Sequence, residues 1–469
     1  MISFGPIHHG REDLKQGEHY KLLWTSTFVE EYSKKTNQDT NRGAKLLHEK
    51  IEDNIEELKK LFTEDAIGSY NDNKDLTWML FVDGCSLLYF MENVDLLNPE
   101  ALMLKLDQQM YMFRDIQMLE NQLPRRLLQM LCNENEANLD CLMFNCVGLG
   151  RFCKPNGVVK VPDELPEPLH ILDLVRSVHM TSPKIKNFGT AKVNDVEDGE
   201  NVINQQGGKE QNQLDSSTEM IIVWQTYKNI KDLKTAGIRV IANEQDKIRW
   251  NNISFTSKWF SGELSLPVFL FDDGTPYLFR NLIAHEMCPD FHNNFEFCSF
   301  LSFMDSLVDT AEDVKELRSA GIIQNLLGSD QELAQLFNEL GYDLPTKQYC
   351  NFWCSPKVGY SSKYIVIRKQ IEEHCSNKWK TWLAEGYNTH FNTPWTMIAF
   401  MAAFLACLQW PKKREISARR PRILELDGQT TISVQSAALM NKVKSIKDDK
   451  NQSKANFAQL TALVVEPCS

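Results

Sequence analysis

The sequence lacks the short motifs that identify the common enzyme and nucleotide-binding classes. It contains no G-x-S-x-G turn for a serine nucleophile, no Walker-type phosphate loop and no G-x-G-x-x-G fingerprint. The stretch Ala284–Cys288 holds a His-Glu pair, but the second histidine that would complete a zinc-protease helix is absent. The motifs therefore predict no catalytic residue, no cofactor and no metal site.

The chain is also short of positive charge. Its formal net charge is −12 at pH 7, with a pI of about 5.4. Because nucleic-acid affinity depends on basic side chains that meet phosphates, we expect no nucleic-acid partner. The charge is uneven, since eleven Lys or Arg and only six Asp or Glu follow Trp410. A basic tail therefore follows an acidic body.

No two cysteines have the C-x-x-C spacing, although the chain has twelve of them. Scattered cysteines in a long chain favour a reducing compartment, where they are structural thiols. Half of a zinc site is the alternative. Its ligands would be Cys350, Cys354, His374 and Cys375.

No apolar run reaches the about twenty residues that span a hydrocarbon core comfortably. The best candidate, residues 394–410, has seventeen residues, and those from Thr396 to Leu408 are almost wholly apolar. Its tryptophans would lie at the two membrane interfaces, and the lysines that follow would meet anionic headgroups. A buried or interfacial helix is the alternative. The candidate membrane helix is marked by Pro394, Trp395, Phe400, Phe404, Leu408 and Trp410.

No signal peptide opens the chain. The first fifteen residues carry neither a basic segment nor an apolar stretch, and Ser3–Gly10 resembles a loop. We therefore expect an incomplete start. We expect a body in the cytosol, held at the plasma membrane or an endomembrane, although the basic flank after residue 410 argues for the opposite orientation. If the short helix does not insert, the protein is expected in the cytoplasm.

Helical periodicity dominates the remaining sequence and predicts a mainly α fold, a multi-helix body with a C-terminal apolar helix. Residues 44–62 carry one apolar stripe, and residues 76–94 are apolar on nearly all sides, as in a buried helix. Pro124 suits the first turn of a helix that runs to about Cys132, so the preceding helix should end near Asn121. Residues 166–180 predict a further helix, and Gly321 predicts the end of another. Strand signals at residues 238–278 predict a small β-sheet insertion.

Five segments follow from these patterns. Residues 1–180 are the N-terminal helical part of one domain, and residues 220–393 are its C-terminal part with the small sheet. Residues 181–219 are rich in polar residues and glycine, which predicts a mobile linker or loop. Residues 394–410 are the short candidate transmembrane helix, and residues 411–469 are a polar basic tail.

A few polar groups could carry chemistry, but each has a structural alternative. The pair His8-His9 lies in a loop, where adjacent histidines are more often structural. The stretch Asp272–Gly274 could chelate a cation, yet a turn requires the same residues. Arg125-Arg126 is interpreted as a solvated face rather than an anion site. A hydrolase-like enzyme assembled from scattered residues stays open as an alternative, with His8, His9, Asp272 and Glu286 as its candidate groups.

Several longer segments carry a family resemblance. The stretches "ISFGPIHHGREDL", "RDIQMLENQLPRRLLQML", "LKTAGIRV" and "ELSLPVFLFDDGTPYLFRNLIAHEMC" occur in this order. The sequence resembles the plant domain-of-unknown-function 247 family, also called uncharacterised protein family 0481, from residue 1 to about residue 405. The most specific residues are Leu119, Glu120, Asn121, Gln122, Leu123 and Pro124 in a first motif, and Phe279, Arg280, Asn281 and Leu282 in a second.

The resemblance implies a plant protein with a mostly helical domain, a C-terminal transmembrane helix and no established catalytic residues. Some grass members of the family are associated with self-incompatibility. The sequence departs from the family at both ends, because relatives usually begin with a further segment and the tail at 411–469 has no counterpart. We therefore expect a membrane-associated protein with an interaction, recognition or signalling role and an unknown protein partner. A truncated, non-functional copy is a further alternative.

Overall fold

The computed structural model describes residues 1–70, 72–95, 99–132, 136–147, 165–181, 229–244, 248–258, 261–289, 291, 294–342, 344 and 361–376. The chain divides into two compact units, Met1–His390 and Phe391–Ser469, and every described residue belongs to the first. The predicted linker beyond Thr181, the candidate membrane helix and the basic tail therefore lie outside the described residues. Within the described ranges, no helix is both long and apolar enough to cross a membrane.

The described residues up to Thr181 are mainly helical, as the spacing of their apolar side chains predicts. The helices are α1 (Lys15–Lys35), α2 (Thr40–Glu52), α3 (Ile55–Lys59), α4 (Glu64–Ile67), α5 (Asn73–Asn93), α6 (Leu106–Asp115), α7 (Arg125–Leu131), α8 (Glu136–Cys146) and α9 (Ile171–Met180). Short 3₁₀ helices lie at Glu12–Leu14, Pro99–Leu102 and Leu119–Asn121.

The chain from residue 229 onward adds two small sheets to further helices. The helices are α10 (Ile230–Thr235), α11 (Thr275–Glu286), α12 (Glu296–Leu307), α13 (Ala311–Ser319), α14 (Asp330–Gly341) and α15 (Ser362–Ser376). The strands are β1 (Ile238–Asn243), β2 (Ser254–Ser257), β3 (Gly262–Pro267), β4 (Phe269–Phe271) and β5 (Ile323–Asn325). In one sheet β3 pairs parallel with β1 and antiparallel with β2, and in the other β4 pairs parallel with β5. The prediction of a mainly α fold with a small sheet is confirmed.

Helix α5 lies at the centre of a first hydrophobic core, which we call the N-terminal core. Every residue from Leu76 to Met91 except Trp78 is buried, so the prediction of a buried helix is confirmed. Helices α1 and α2 cover α5 with apolar side chains such as Trp24 and Leu47. Burying such side chains contributes about 1.5–3 kcal/mol each, which is the main stabilisation of this half.

One charged pair is sealed inside the N-terminal core. Lys21 on α1 and Asp83 on α5 are fully buried, and the Lys21 ammonium lies 2.6 Å from the Asp83 carboxylate. The ammonium also donates to the Ser3 carbonyl at 2.9 Å and lies 2.7 Å from Glu18. The second Asp83 oxygen accepts from the Gly5 N–H at 2.7 Å. Together these bonds hold the loop at the start of the chain against the core.

A second set of buried residues, which we call the C-terminal core, surrounds α12. Phenylalanines dominate it, and their rings meet at close range, as between Phe279 and Phe297 at 5.2 Å and between Phe271 and Phe337 at 5.4 Å. Such edge-to-face pairs contribute about 0.5–1.5 kcal/mol beyond their buried area. The sheets supply one wall of this core, since alternate residues of β3 and β4 face it.

Helix α9 packs against both cores. Its residues Ile171, Leu174 and Val178 belong to the N-terminal core, whereas Leu172 and Met180 belong to the C-terminal core. Every residue of this helix is at least half buried, as expected of an element between two apolar surfaces. Groups on α9 are therefore positioned by both halves of the fold.

The strand prediction is correct in place, and the structure differs from the predicted range in two details. Residues 275–278, at the end of that range, form the first turn of α11, because Pro276 favours the first turn of a helix. Strand β5 lies outside the predicted range, in a short apolar run after Gly321. Three residues are too few to show strand periodicity, so only pairing with β4 reveals this strand.

Two helix boundaries also differ from the sequence prediction. The stripe at residues 44–62 is divided into α2 and α3, because the chain turns at Asp53-Asn54. The helix expected to end near Asn121 stops at Asp115, and a separate 3₁₀ turn covers Leu119–Asn121. The predicted helix end at Gly321 is confirmed, since this glycine has φ +73°, a conformation that side chains disfavour.

The buried pair predicts a large stability loss when one charge is removed. In Asp83→Asn, Lys21 keeps its charge but loses its fully buried partner and retains only the partly exposed Glu18, which should lower the free energy of unfolding by about 3 kcal/mol. The matched control is Glu316→Gln, which breaks an exposed pair with Lys234 and should cost at most about 1 kcal/mol. Urea unfolding followed by circular dichroism measures both. Equal losses in the two variants would contradict a structural role for the buried pair.

Candidate functional site

The two motifs that carry the family resemblance meet in the structure. The Leu119 N–H donates to the Asn281 side-chain oxygen at 2.7 Å, across 162 positions of the chain. Gln122 accepts from the Leu172 N–H at 3.0 Å, at the first turn of α9. The first motif is therefore fixed to α11 by one amide and to α9 by another, and it connects the two halves of the fold.

The other motif residues are distributed between core and surface. Asn121 is buried and donates to the carbonyls of Ile2 at 3.3 Å and Asp115 at 2.8 Å. Glu120 is exposed and lies 2.8 Å from the His8 ring, and Arg280 lies 3.6 Å from Glu339. Leu123, Phe279 and Leu282 are buried, while Pro124 directly precedes α7.

A buried polar cluster lies beside these contacts, between α9 and the carboxyl end of α11. It consists of His170, Asp173, Arg176, His285 and Glu286. Arg176 donates through Nε to Glu286 at 2.7 Å and through a terminal nitrogen to the Asn294 carbonyl at 2.6 Å. Both charged groups are buried, and their pairing compensates much of the cost of removing them from water.

The Glu286 carboxylate also caps the amino end of the next helix, α12. Its two carboxylate oxygens accept from the N–H groups of Phe297 and Cys298, each at 2.9 Å. These N–H groups belong to the first turn of α12 and have no partner within that helix. A carboxylate is favourable there because the amino end of a helix carries partial positive charge. The Glu286 carboxylate thus accepts hydrogen bonds from Arg176 and from two main-chain N–H groups, all of which are structural.

The histidines of the cluster have unequal surroundings. His285 Nε2 lies 3.3 Å from Asp173, while the His170 ring lies 5.0 Å from the His285 ring and accepts from the Asp173 N–H at 3.2 Å. Burial, with a smaller effect from His285, lowers the pKa of His170 to about 4. Burial alone would raise the pKa of Asp173, but hydrogen bonds from His285 and from the Leu169 N–H hold it below its usual value.

A cleft of about 890 Å³ opens at the other end of α11. Helices α6 and α9 form one wall, and β4 with the turn that follows it forms the other. The Arg114 guanidinium crosses between the walls, 4.6 Å from the Tyr277 ring and 5.8 Å from the Tyr111 ring. Both tyrosines are about half exposed, so an aromatic and cationic rim faces solvent.

The floor of the cleft is aromatic. The His179 ring stacks on Trp250 at 3.7 Å between centroids, with an interplanar angle of 4°. Trp250 in turn contacts Phe279 at 5.4 Å. Since Phe279 belongs to the C-terminal core and His179 lies on α9, the floor joins the same elements as the polar cluster.

Three carboxylates line the cleft: Asp107, Asp272 and Asp273. Asp272 accepts through one oxygen from the N–H groups of Gly274 and Thr275, each at 3.0 Å, and from the Thr275 hydroxyl at 2.9 Å. These bonds form the turn that leads into α11, so the structural alternative stated for Asp272 is the one observed. Asp107 and Asp273 are exposed.

The candidate groups of the hydrolase alternative are not gathered in one place. Only Asp272 lines the cleft, whereas Glu286 is buried in the polar cluster and His8 is bonded to Glu120. His9 is exposed, with its ring 6.3 Å from that of Tyr70.

Among the residues that the structure describes, no group of three or more His, Cys, Asp or Glu could hold a metal ion. Cys350 and Cys354 lie outside those ranges, so half of the proposed zinc site is not described. Burial raises the pKa of the Cys85, Cys146 and Cys298 thiols, which keeps them protonated and unreactive.

The interpretation of Arg125-Arg126 as a solvated face is wrong for the first residue. Arg125 is buried and pairs with Asp140 at 3.0 Å and with Glu167. Arg126 is half exposed and pairs with Glu57 at 2.8 Å. The sequence at the start of α7 does not indicate which arginine is buried. Burial of Arg125 depends on its partners, Asp140 on α8 and Glu167 in the chain before α9.

The polar cluster and the cleft could not be predicted from the sequence as sites. One buried charge has a signal in the sequence. Asp83 interrupts an otherwise apolar helix, and a charged residue at such a position requires a partner. For Arg176 and Glu286 no comparable signal exists, since each lies in a stretch with ordinary helical alternation. Their separation of 110 positions makes the pairing a property of the tertiary structure.

The surroundings of His170 predict a stability loss in acid. Its pKa is about 4 in the folded chain and 6.5 in a free chain, so unfolding takes up a proton between these values. Stability should be highest above pH 6.5 and fall by about 2 kcal/mol by pH 4, after allowance for partial exposure of the ring. In His170→Asn this slope should be absent, while the helix cap at Asp173 is kept.

Chemical unfolding at a series of pH values measures this slope. His19→Asn, which changes an exposed histidine on α1, is the matched control and should keep the slope of the unaltered protein. If His170→Asn loses stability in acid as steeply as the unaltered protein does, the loss does not come from His170.

Comparison with known proteins identifies the same family as the sequence resemblance. The family model DUF247, described as a plant protein of unknown function, matches residues 1–408. The UPF0481 protein At3g02645 of Arabidopsis thaliana is 23% identical over 473 residues, covering 86% of this chain and 84% of the relative. A second Arabidopsis UPF0481 protein, At3g47200, is 23% identical over 426 residues, covering 87% and 80%. No solved structure matches significantly. The chain therefore belongs to the DUF247 family of plant proteins of unknown function.

Proposed function

We propose that this chain is a plant interaction protein that recognises a partner through the cleft between α6 and α11. The observation that carries the proposal is the rim of Tyr111, Arg114 and Tyr277, which is ordered by stacking and yet open to solvent. Tyrosine and arginine are enriched at protein interfaces, because they combine a large apolar surface with directed polar groups.

The bonding of the ionisable groups favours recognition over catalysis. A general acid or base must reach a substrate, but Glu286 is bonded to Arg176 and to two N–H groups of α12. Asp272 is held in its turn in the same way. The hydrolase-like alternative would need these groups in one concave site, and no described feature favours it.

Attachment to a membrane is the second part of the proposal. It is supported by the sequence of residues 394–410, whose seventeen mostly apolar residues are followed by a basic segment. The acidic body would then be held near a membrane surface, where its partner is met. A buried or interfacial helix is the competing interpretation of this segment.

If the protein recognises partners through the cleft, replacing the cleft tyrosines should reduce partner binding. Proximity labelling in plant cells should recover a set of proteins with the unaltered chain. Recovery should fall about tenfold with Tyr111→Ala/Tyr277→Ala, since truncation of interface tyrosines often costs about 1–2 kcal/mol or more. Trp78→Ala is the matched control, because Trp78 is an exposed aromatic residue of α5 that does not line the cleft. Equal labelling by all three chains would exclude the cleft as the recognition surface.

Membrane attachment predicts different fractionation of two chains. The full chain should stay with plant membranes through a carbonate wash, whereas a chain that ends at Thr393 should be released. Quantitative immunoblotting of pellet and supernatant measures the partition. Release of both chains would remove the membrane part of the proposal and leave recognition through the cleft unaffected.

A further inference from the structure

We propose that the cleft binds a basic peptide in extended conformation, which pairs with the free edge of β4 and places lysine or arginine side chains among the cleft carboxylates. This inference rests on the proposed recognition function and names the chemical class of the partner. Its three supports are the direction of the β4 main chain, the charge of the cleft and its aromatic floor.

The main chain of β4 is paired on one side. The Phe269 N–H donates to the Ile322 carbonyl at 2.7 Å, and the Phe271 carbonyl accepts from the Leu326 N–H at 2.8 Å. In a parallel ladder the peptide groups of successive residues point to opposite sides, so those of Leu270 point away from β5. Among the described strands, only β5 pairs with β4.

The unpaired side of β4 lies along the cleft. Four consecutive residues, 268–271, line it, together with Gln324 of β5. Alternate side chains of a strand face opposite sides of a sheet, so one face alone would contribute only every second residue. An uninterrupted series of lining residues is what a strand edge presents. Leu270 is also 48% exposed, so its side chain is open to solvent.

An exposed strand edge selects a main chain as its partner. The N–H and C=O groups of an extended peptide can pair with it at the spacing of a sheet, a recognition mode known as strand addition. An extended peptide can pair with both the N–H and the C=O of Leu270 while its flanking residues run along the cleft. The edge therefore favours a peptide over a metabolite as the occupant of the cleft.

The charge of the cleft selects a basic peptide. Asp107, Asp272 and Asp273 line it, against one guanidinium, that of Arg114. The Arg114 side chain is already engaged by the two tyrosine rings. Asp107 and Asp273 have no ion-pair or hydrogen-bond partner among the residues that the structure describes. Complementary charge of this kind raises association rates and excludes acidic partners.

The aromatic floor adds a preference for apolar residues at alternate positions. Trp250 lies beneath the edge and is partly exposed, while Phe269 and Phe279 behind it are buried, so the Trp250 ring is the surface that a large apolar side chain would meet. In an extended peptide alternate side chains share one face. The expected ligand therefore alternates basic residues with valine, phenylalanine or similar residues.

The test uses the full chain and a defined probe, the fluorescein-labelled peptide Lys-Val-Lys-Phe-Arg-Val-Lys. Fluorescence anisotropy should detect binding with a Kd below about 100 µM at low salt. The same peptide with Glu at the basic positions should bind at least about tenfold more weakly, and added salt should weaken the basic probe. A version with N-methyl groups at alternate residues keeps its charge but cannot complete a ladder, and it should also lose about tenfold.

Protein variants locate the binding. In Asp107→Asn/Asp273→Asn the affinity for the basic probe should fall about tenfold. The matched control, Asp53→Asn/Asp65→Asn, changes two exposed acids outside the cleft and should leave the affinity unchanged. Equal loss in both double variants, equal binding of the N-methylated probe, or no binding of the basic probe up to about 1 mM would each overturn the inference.

The two proposals fail separately. If cleft-dependent partners appear in plant cells but the basic probe does not bind, recognition through the cleft stands and the extended basic peptide is excluded. If the double tyrosine variant labels the same proteins as the unaltered chain, recognition through the cleft itself is excluded.

Discussion

The ion pair between Arg176 and Glu286 is the interaction on which the join between the two halves depends. Arg176 lies on α9, which packs against both cores, and Glu286 is the last residue of α11 and caps the amino end of α12. Neither charge could be buried alone, because an unpaired ion in an apolar interior costs several kcal/mol. The requirement that each be paired therefore fixes α9 against α11 more specifically than apolar packing, which has no direction, could do.

The cleft is a consequence of that join. Helix α11 has the polar cluster at its carboxyl end and the cleft at its amino end, so fixing one end positions the other. The contact of Leu119 with Asn281 holds the same helix at its middle. The walls of the cleft come from chain segments far apart in sequence, and both are anchored to buried elements. A surface with this support can be rigid while its tyrosines and carboxylates stay open to solvent.

Much of the helical body was predictable because its signals are local. Apolar periodicity identified α5 and α9, and glycine at positive φ identified the end of α13. The boundary at Asp53-Asn54 was missed because the apolar stripe continues through it. Strand β5 was missed because three residues carry too little pattern, and its existence depends on hydrogen bonds to β4.

The sites could be predicted from the sequence much less well than the helices. The sequence alone identified the two family motifs but did not indicate that they are in contact. Their contact is a finding of the structure. His8, His9, Asp272 and Glu286 were grouped only by residue type, and their hydrogen-bond partners separate them. The burial of Arg125 could not be predicted, and although Asp83 signalled a buried charge, its partner Lys21 could not be identified, since each pairing depends on a residue from another helix.

By itself, then, the sequence determined the family resemblance, the helical class and the acidic body with its basic tail, because these depend on composition and on neighbours a few residues apart. The tertiary structure decided which charges are buried, which carboxylates face solvent and which strand edge lines the cleft. Those properties arise from contacts between elements distant in the sequence, up to 162 positions apart, whose free energy depends on burial and geometry that no local pattern encodes.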